Sequence, residues 1–272
     1  MAVISLKNVS YRYPLEENQV IKNVSFEIEK GQVWGLIGAN ESGKTSICNI
    51  IRGFIPEIYR GELEGEVEIK GKKIESYGDG ELASVVGYSF QNPFTQISGV
   101  KESIYKEIAY GLVKQKMSHE EVKRRALEAA RLCGLEEDLE EHPYNLPYSK
   151  RKFITIAAIV AMDPKVVILD EPTAGQDRAS IQLLGDIVHK LAEKNKIVIT
   201  ITHDMEFVVK YFKRVIVMAE KKVRRDGGPR EIFWDEELLR FSSLKQPYLC
   251  QLANLLGYRD ILTIDELLEV DL

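Results

Sequence analysis

An α/β fold with a parallel sheet is predicted by three features of the sequence. Val33-Trp34-Gly35-Leu36-Ile37, Val166-Val167-Ile168-Leu169 and Ile197-Val198-Ile199-Thr200-Ile201-Thr202 are apolar runs of strand length, the pattern of strands covered on both faces. Stretches with helical spacing separate them, as in alternating α/β architectures. Each run ends in polar residues: Gly38 to Thr45, Asp170-Glu171 and His203-Asp204. In parallel sheets ligands bind outside the carboxyl ends of the strands, so these three segments form the candidate site.

The 272 residues make one large or two small domains and are enough to bury a core. With 44% hydrophobic and 29% charged residues the composition is that of an ordinary globular protein. No segment reaches the ~18 uninterrupted apolar residues of a transmembrane helix; Phe153 to Met162, the most apolar stretch, stops at Asp163. The start lacks a basic-then-apolar leader, which predicts a cytosolic protein. A net charge of -5 argues against a surface that coats nucleic acid. Cys48, Cys133 and Cys250 are far apart and lack metal-ligand spacing, so they read as core thiols of a reducing compartment.

In chain order, Val3 to Leu6 and Val24 to Ile28 are predicted strands joined by the turn-prone Pro14 to Asn18, with Tyr11 and Tyr13 between them. After the Gly38–Thr45 segment, Ile47, Ile50, Ile51 and Phe54 recur at i, i+3, i+4 and i+7, which predicts an amphipathic helix with one face inward. Gly65 to Gly71 alternates charged and apolar residues, as an exposed antiparallel hairpin does. Val85 to Phe90 is a further strand that delivers Gln91. From Pro93 to about Ala161 the sequence is charged and favours helix, which predicts a mostly helical insertion over about 93–161. In the tail, Leu252, Leu255 and Leu256, then Ile264, Leu267 and Leu268, mark two short amphipathic helices packed on the body, the last with Thr263 and Glu266 as a capping box.

The segment Gly38-Ala39-Asn40-Glu41-Ser42-Gly43-Lys44-Thr45 matches G-x-x-x-x-G-K-[ST] between a strand and a helix, where backbone N–H groups and a helix N-terminus converge on one anion. Gly43 lets the backbone approach a phosphate, Lys44 supplies a point charge for the β/γ oxygens, and Thr45 offers a hydroxyl to Mg²⁺. Glu41 is out of character, a carboxylate in a loop built for anions. Asp170, ending an apolar strand, suits a carboxylate that holds a metal-bound water. Glu171 points elsewhere by strand alternation and is free to orient or deprotonate an attacking water. A lone histidine ordinarily reads as structural, but at a strand end in a chain with a phosphate loop His203 reads as a γ-phosphate donor. His119, His142 and His189 have no such context and read as surface residues.

Over nearly its whole length the chain resembles the ATP-binding subunits of ABC transporters. The resemblance is carried by Gly38 to Thr45 (Walker A), Gln91 (Q-loop), Val166 to Glu171 (Walker B and the catalytic glutamate), Ala174-Gly175-Gln176-Asp177 (D-loop) and His203 (switch histidine). More narrowly, Phe90-Gln91-Asn92-Pro93, Ala161-Met162-Asp163-Pro164, Thr173-Ala174-Gly175 and Leu262 to Glu266 are similar to energy-coupling-factor importers of vitamins and of cobalt or nickel ions. The resemblance implies a P-loop NTPase with a RecA-like core, an antiparallel β subdomain and a helical subdomain within residues 1–240, and a helical tail over 241–272. It implies ATP and Mg²⁺ as cofactors. Gly38, Asn40, Ser42, Gly43 and Lys44 would hold the phosphates, Ser46 the α-phosphate, and Thr45, Gln91 and Asp170 the metal. Lys44, Glu171 and His203 would serve hydrolysis. Tyr13 would stack on adenine, with Tyr11 as the competing residue.

The family's signature, L-S-G-G-Q, is matched here by Leu146-Pro147-Tyr148-Ser149-Lys150. In the family this segment offers a serine and backbone N–H groups to the γ-phosphate held by the opposite subunit, and the glycines permit close approach. Pro147 has neither hydroxyl nor N–H, and Tyr148 and Ser149 add side chains. The resemblance therefore implies an ATPase that hydrolyses ATP when a partner supplies an intact signature, and that serves its partner's site poorly. A heterodimer with a second, unlike ATPase subunit is expected over a homodimer. A transmembrane coupling subunit and a substrate-binding membrane subunit are the further partners, at the cytoplasmic face of the cell membrane and without nucleic acid. Two other readings are a regulatory or scaffold subunit that binds ATP but hardly turns it over, and a soluble non-transport ABC ATPase. Against the latter stand the single motif set, the absence of a long coiled-coil insertion and the acidic balance.

Overall fold

A computed structural model describes residues 2–78, 80–115 and 117–270. The chain forms two compact units, Met1–Ser76 with Ile201–Leu272, and Tyr77–Thr200. The first opens with β1 (Ala2–Arg12), β2 (Ile21–Glu29), β3 (Val33–Gly38), α1 (Lys44–Ile51), a short turn α2 (Phe54–Glu57), β4 (Glu62–Ile69) and β5 (Lys72–Lys73). Strands β2, β1, β4 and β5 form an antiparallel sheet in that order, with Leu6 opposite both Phe26 and Val67. The Gly65–Gly71 alternation is thus a β strand that also pairs with β1, and its turn uses the left-handed residues Lys70 and Gly71, the geometry of a two-residue hairpin.

Helix α1 departs from its expected pattern. It ends at Ile51, because Gly53 takes φ 77° and turns the chain out of the helix, so Phe54 lies beyond it under the Arg52 guanidinium. Nor is it amphipathic: Ile47, Cys48, Asn49, Ile50 and Ile51 are all buried. Thr45, in its first turn, is the exposed residue of the helix, so α1 meets solvent at its N-terminal end.

The second unit contains β6 (Val86–Ser89), α3 (Ile104–Val113), α4 (His119–Leu132), α5 (Tyr148–Ala161), β7 (Val166–Asp170), α6 (Arg178–Glu193) and β8 (Ile197–Ile201), which runs to its end. Ser103 and Ser118 cap α3 and α4 by accepting from the Lys106 and Glu121 amides, so the expected helical stretch is present. Strands β6 and β7 are parallel, Val86 opposite Val166 and Ser89 opposite Leu169, and β8 lies on the other side of β7. Residues 166–169 and 197–201 are buried, as continuous apolar strands require.

The chain then returns to the first unit with α7 (Met205–Tyr211), β9 (Arg214–Ala219), β10 (Lys222–Gly227), α8 (Pro229–Phe233), α9 (Glu236–Phe241), α10 (Tyr248–Leu255) and α11 (Ile264–Val270). Strand β9 runs parallel to β3, Gly38 opposite Met218, and antiparallel to β10. The tail helices form where expected, and Thr263 and Glu266 cap α11 reciprocally, Glu266 N–H to Thr263 Oγ1 at 3.3 Å and Thr263 N–H to Glu266 Oε2 at 3.4 Å. Residues 271–272 of the expected tail lie outside the described residues. Its leucines do not pack as expected. Cys250 and Ala253 form the buried stripe of α10, which leaves Leu252, Leu255 and Leu256 exposed, and Leu267 alone of the α11 set joins Ala253, Ile261 and Trp234 in a small core. Cys48, Cys133 and Cys250 are all buried, and burial raises the Cys133 thiol and pushes Cys250 up to about 11, which keeps these two protonated at neutral pH. Among the described residues no helix is long and apolar enough to cross a membrane.

Candidate functional site

In the first unit, β3 leads through Gly38 into the loop and Gly43 takes the N-cap of α1 with φ 105°. Two glycines are obligatory here. A Cβ on Gly38 would meet the Met218 carbonyl oxygen at 2.1 Å, and one on Gly43 would meet the Val20 carbonyl at 2.8 Å. No side chain caps α1, which leaves its first amides without a capping acceptor, an arrangement that fits an anion. The buried Lys44 ammonium donates to the Gly38 and Ala39 carbonyls at 2.8 and 2.7 Å, a position over the loop. Ser42 and Ser46 are buried, while Asn40 and Thr45 are exposed. Glu41 is exposed too, and its φ of 61° places it in the left-handed region, where a glycine is at ease.

The two tyrosines separate by burial. Tyr11 is 0% exposed and its hydroxyl donates to the Tyr59 and Arg60 carbonyls, so it belongs to the core and cannot stack on a base. Burial also raises its pKa to about 12. Tyr13 is half-buried, with its ring edge-on to Tyr11 and its hydroxyl 3.3 Å from Ser46 Oγ. His203 follows β8 at the surface. Partial burial and then the Lys44 ammonium hold its pKa below the ordinary histidine value.

In the second unit, β6 and β7 end beside each other at Ser89 and Asp170. Tyr88 donates its hydroxyl to Asp170 Oδ2 at 2.5 Å. Lys152, near the start of α5, donates to the carbonyls of Phe90, Gln91 and Asp170 at 2.5, 3.1 and 3.0 Å. Burial lowers this ammonium to about 8, against the Asp170 and Glu171 carboxylates, which raise it. The Gln96 side chain accepts from Phe90 N–H and donates to the Tyr88 carbonyl, bracing the turn that carries the exposed Gln91. Glu171 lies just past the strand, so the alternation expected to direct it does not apply. The strand stops at Asp170 and Glu171 takes φ 43°, so a left-handed turn, not strand alternation, aims it, at a cost of about 1–3 kcal/mol for a non-glycine residue.

The signature-like segment lies in the same unit. Pro147 is the N-cap of α5 at φ -63° and ψ 158°, without a side-chain cap, and the Tyr148 ring lies 3.3 Å from where a Cβ on Gly175 would stand. Gln176 donates to the Ser149 carbonyl at 3.4 Å. A tyrosine thus fills the space that a signature glycine would leave open.

Of the predicted residues, Tyr13, Gly38, Asn40, Ser42, Gly43, Lys44, Thr45, Ser46 and His203 belong to the first unit, and Gln91, Asp170 and Glu171 to the second. Among the described residues no group of three or more His, Cys, Asp or Glu side chains could hold a metal. Taken singly, the residues expected at the metal, Thr45 in the first unit and Gln91 and Asp170 in the second, each offer a hard oxygen of the kind Mg²⁺ takes. Sequence reading missed Tyr88, Gln96 and Lys152. The available signal was a lysine at 152 in helical register with Thr155, Ile156 and Ile159, all buried.

Residues 21–174 match the ABC transporter family. The chain is 33% identical over 268 residues to the energy-coupling factor transporter ATP-binding protein EcfA of Methanocaldococcus jannaschii, covering 97% of this chain and 93% of that protein. The structure of CbiO1 from Clostridium perfringens, part of the ABC transporter complex CbiONQ, matches with a TM-score of 0.79 and 27% identity over 94% of this chain and 99% of that one. The ATP-binding cassette MJ0796, solved as a dimer in a post-hydrolysis state with ADP and Pi, matches with a TM-score of 0.72 and 26% identity over 83% and 98%. The fold is therefore that of the ABC ATPases, and the chain belongs to the ATP-binding subunits of ABC transporters.

Proposed function

We propose that this ABC ATPase energises an energy-coupling-factor importer of a vitamin or a transition-metal ion, bound peripherally at the cytoplasmic face of the cell membrane, as one half of an asymmetric ATPase heterodimer. Similarity to the archaeal EcfA and to clostridial CbiO1 supports the importer class. The observation that carries the asymmetry is an intact glycine-built phosphate loop in a chain whose signature is Pro147-Tyr148-Ser149.

In this reading Gly38, Asn40, Ser42, Gly43 and Lys44 hold the β- and γ-phosphates, Ser46 meets the α-phosphate and Tyr13 stacks on adenine. Thr45, Gln91 and Asp170 hold Mg²⁺, which neutralises charge on the transferring phosphoryl group. Glu171 orients the attacking water and takes its proton, and a neutral His203 donates to the γ-phosphate. ATP binding closes the dimer, and hydrolysis and product release reopen it. A transmembrane coupling subunit reads this motion through the Q-loop near Gln91, where Phe94, Tyr144 and Tyr148 expose aromatic surface. A substrate-binding membrane subunit selects the cargo.

The test is ATP turnover by the purified chain alone and with an ATPase subunit bearing L-S-G-G-Q. Turnover should be slow alone, rise with the partner, and fall about 10²–10⁴-fold in the complex with Glu171→Gln. Brisk turnover by the lone chain, abolished by Glu171→Gln, refutes the heterodimer. Tight ATP binding without single-turnover hydrolysis in the complex supports the scaffold reading instead.

A further inference from the structure

The ends of β6 and β7 are held by two side chains to which no role has been given. Lys152 is 2% exposed, in a helix core where an apolar residue would pack at lower cost. Its three N–H donors meet three acceptors, the carbonyls of Phe90, Gln91 and Asp170, which are 62, 61 and 18 positions away in the chain. Lys152 sits one turn into the helix that begins with the signature-like segment. It therefore ties that helix to the Q-loop and to the end of the Walker B strand. Tyr88, 8% exposed, holds Asp170 from the other side through Oδ2. The Thr155 and Ser89 hydroxyls, 3.3 Å apart, make a third link between α5 and β6.

We infer that Tyr88 and Lys152 are positioning residues for ATP hydrolysis: Tyr88 sets the torsion of the Asp170 carboxylate, and Lys152 fixes the backbone of Gln91 and Asp170 to the first turns of α5. This rests on the metal-binding role proposed above for Asp170 and Gln91. Both side chains act through Asp170 and Gln91. Their effect falls on how the metal is held and on how a movement at the start of α5 reaches Asp170. A hydrogen bond to a metal-directed carboxylate of this kind is commonly worth about 10–100-fold in metal affinity or activity.

The experiment uses the assembled complex with its partner ATPase subunit and the variants Tyr88→Phe and Lys152→Gln. Binding of a fluorescent ATP analogue is followed in EDTA and across a Mg²⁺ titration, with Mn²⁺ paramagnetic resonance as the spectroscopic readout and kcat and KM for ATP alongside. Tyr88→Phe should leave binding in EDTA within about twofold, raise the Mg²⁺ midpoint about 10-fold and alter the bound Mn²⁺ spectrum. Lys152→Gln should lower kcat about 10–100-fold with a much smaller change in KM. Where Lys152→Gln does not fold, Tyr88→Phe decides, because it keeps the buried ring. A parent complex with Mg²⁺-dependent binding, and variants that match it in midpoint, Mn²⁺ spectrum and kcat, overturns the inference alone. A parent whose nucleotide binding ignores Mg²⁺ overturns the metal-binding role beneath it as well.

Discussion

The phosphate loop and the signature-like segment each begin a helix, and they do it by opposite means. Gly43 starts α1 from a left-handed conformation, whereas Pro147 starts α5 with an extended backbone and a fixed φ. Neither helix has a side-chain cap. Proline serves a first turn as well as glycine because the first N–H groups have no intrahelical partner. An anion asks for more, namely N–H donors and room to approach them. At the first helix Gly38 and Gly43 let the loop pack against the Met218 and Val20 carbonyls, closer than any Cβ tolerates. At the second helix the Tyr148 side chain lies over Gly175, where the signature of the family has a glycine without a side chain. Helix formation and anion binding are separable demands on the same kind of turn, and the function proposed here has the chain meet both at one place and only the first at the other.

The largest effect should come from the loop. Lys44→Ala removes the ammonium proposed to meet the phosphates, where a charge-assisted hydrogen bond is worth ~1.5–3 kcal/mol, and should weaken ATP binding by about 100-fold or more in calorimetry. Pro147→Ser, Tyr148→Gly and Ser149→Gly together should leave that affinity as it is. Equal losses in both would erase the difference between the two helix starts. The same triple variant should instead raise the turnover of the lone chain, by about 10²-fold if a missing preorganised donor is what limits it. Unchanged turnover, with the fold intact, would place the asymmetry elsewhere.

A smaller effect concerns His203. Burial and Lys44 favour its neutral form, so by NMR titration it should lose its proton below the ordinary histidine range, and Lys44→Met should raise the value. The sign for stability follows. The contribution is present above the unfolded pKa and is lost as pH falls through the lower folded value. The smallest effect is at Glu41. Because the residue is exposed, Glu41→Gln should change ATP affinity by less than about twofold at several salt concentrations. Glu41→Gly is the poorer probe, since it also relieves the left-handed backbone at φ 61°.

Much of the site was legible because its signals are local. A glycine-lysine loop between a strand and a helix, or an apolar run ending in two carboxylates, is written within ten residues. Phe54 was misplaced by the same reasoning, since the helical spacing runs through Gly53 while the backbone turns there. The tail shows a similar limit. Three leucines at helical spacing in α10 suggested a buried stripe, but Cys250 and Ala253 occupy it. Periodicity names a face without saying what covers it.

The sequence by itself determined the fold family, the order of the motifs and the departure of Leu146 to Lys150 from L-S-G-G-Q, because each motif is written in residues that are neighbours in the chain. The tertiary structure decided which tyrosine is free to meet a base, how Glu171 is aimed and what holds Asp170. Tyr11 and Tyr13 are two residues apart and alike in chemistry; only the core that closes over Tyr11 tells them apart. Lys152 reads as one more charge in a helix until its three carbonyl partners arrive from as far as 62 residues away. A buried ammonium must find all its acceptors, and where they lie is settled by packing rather than by spacing.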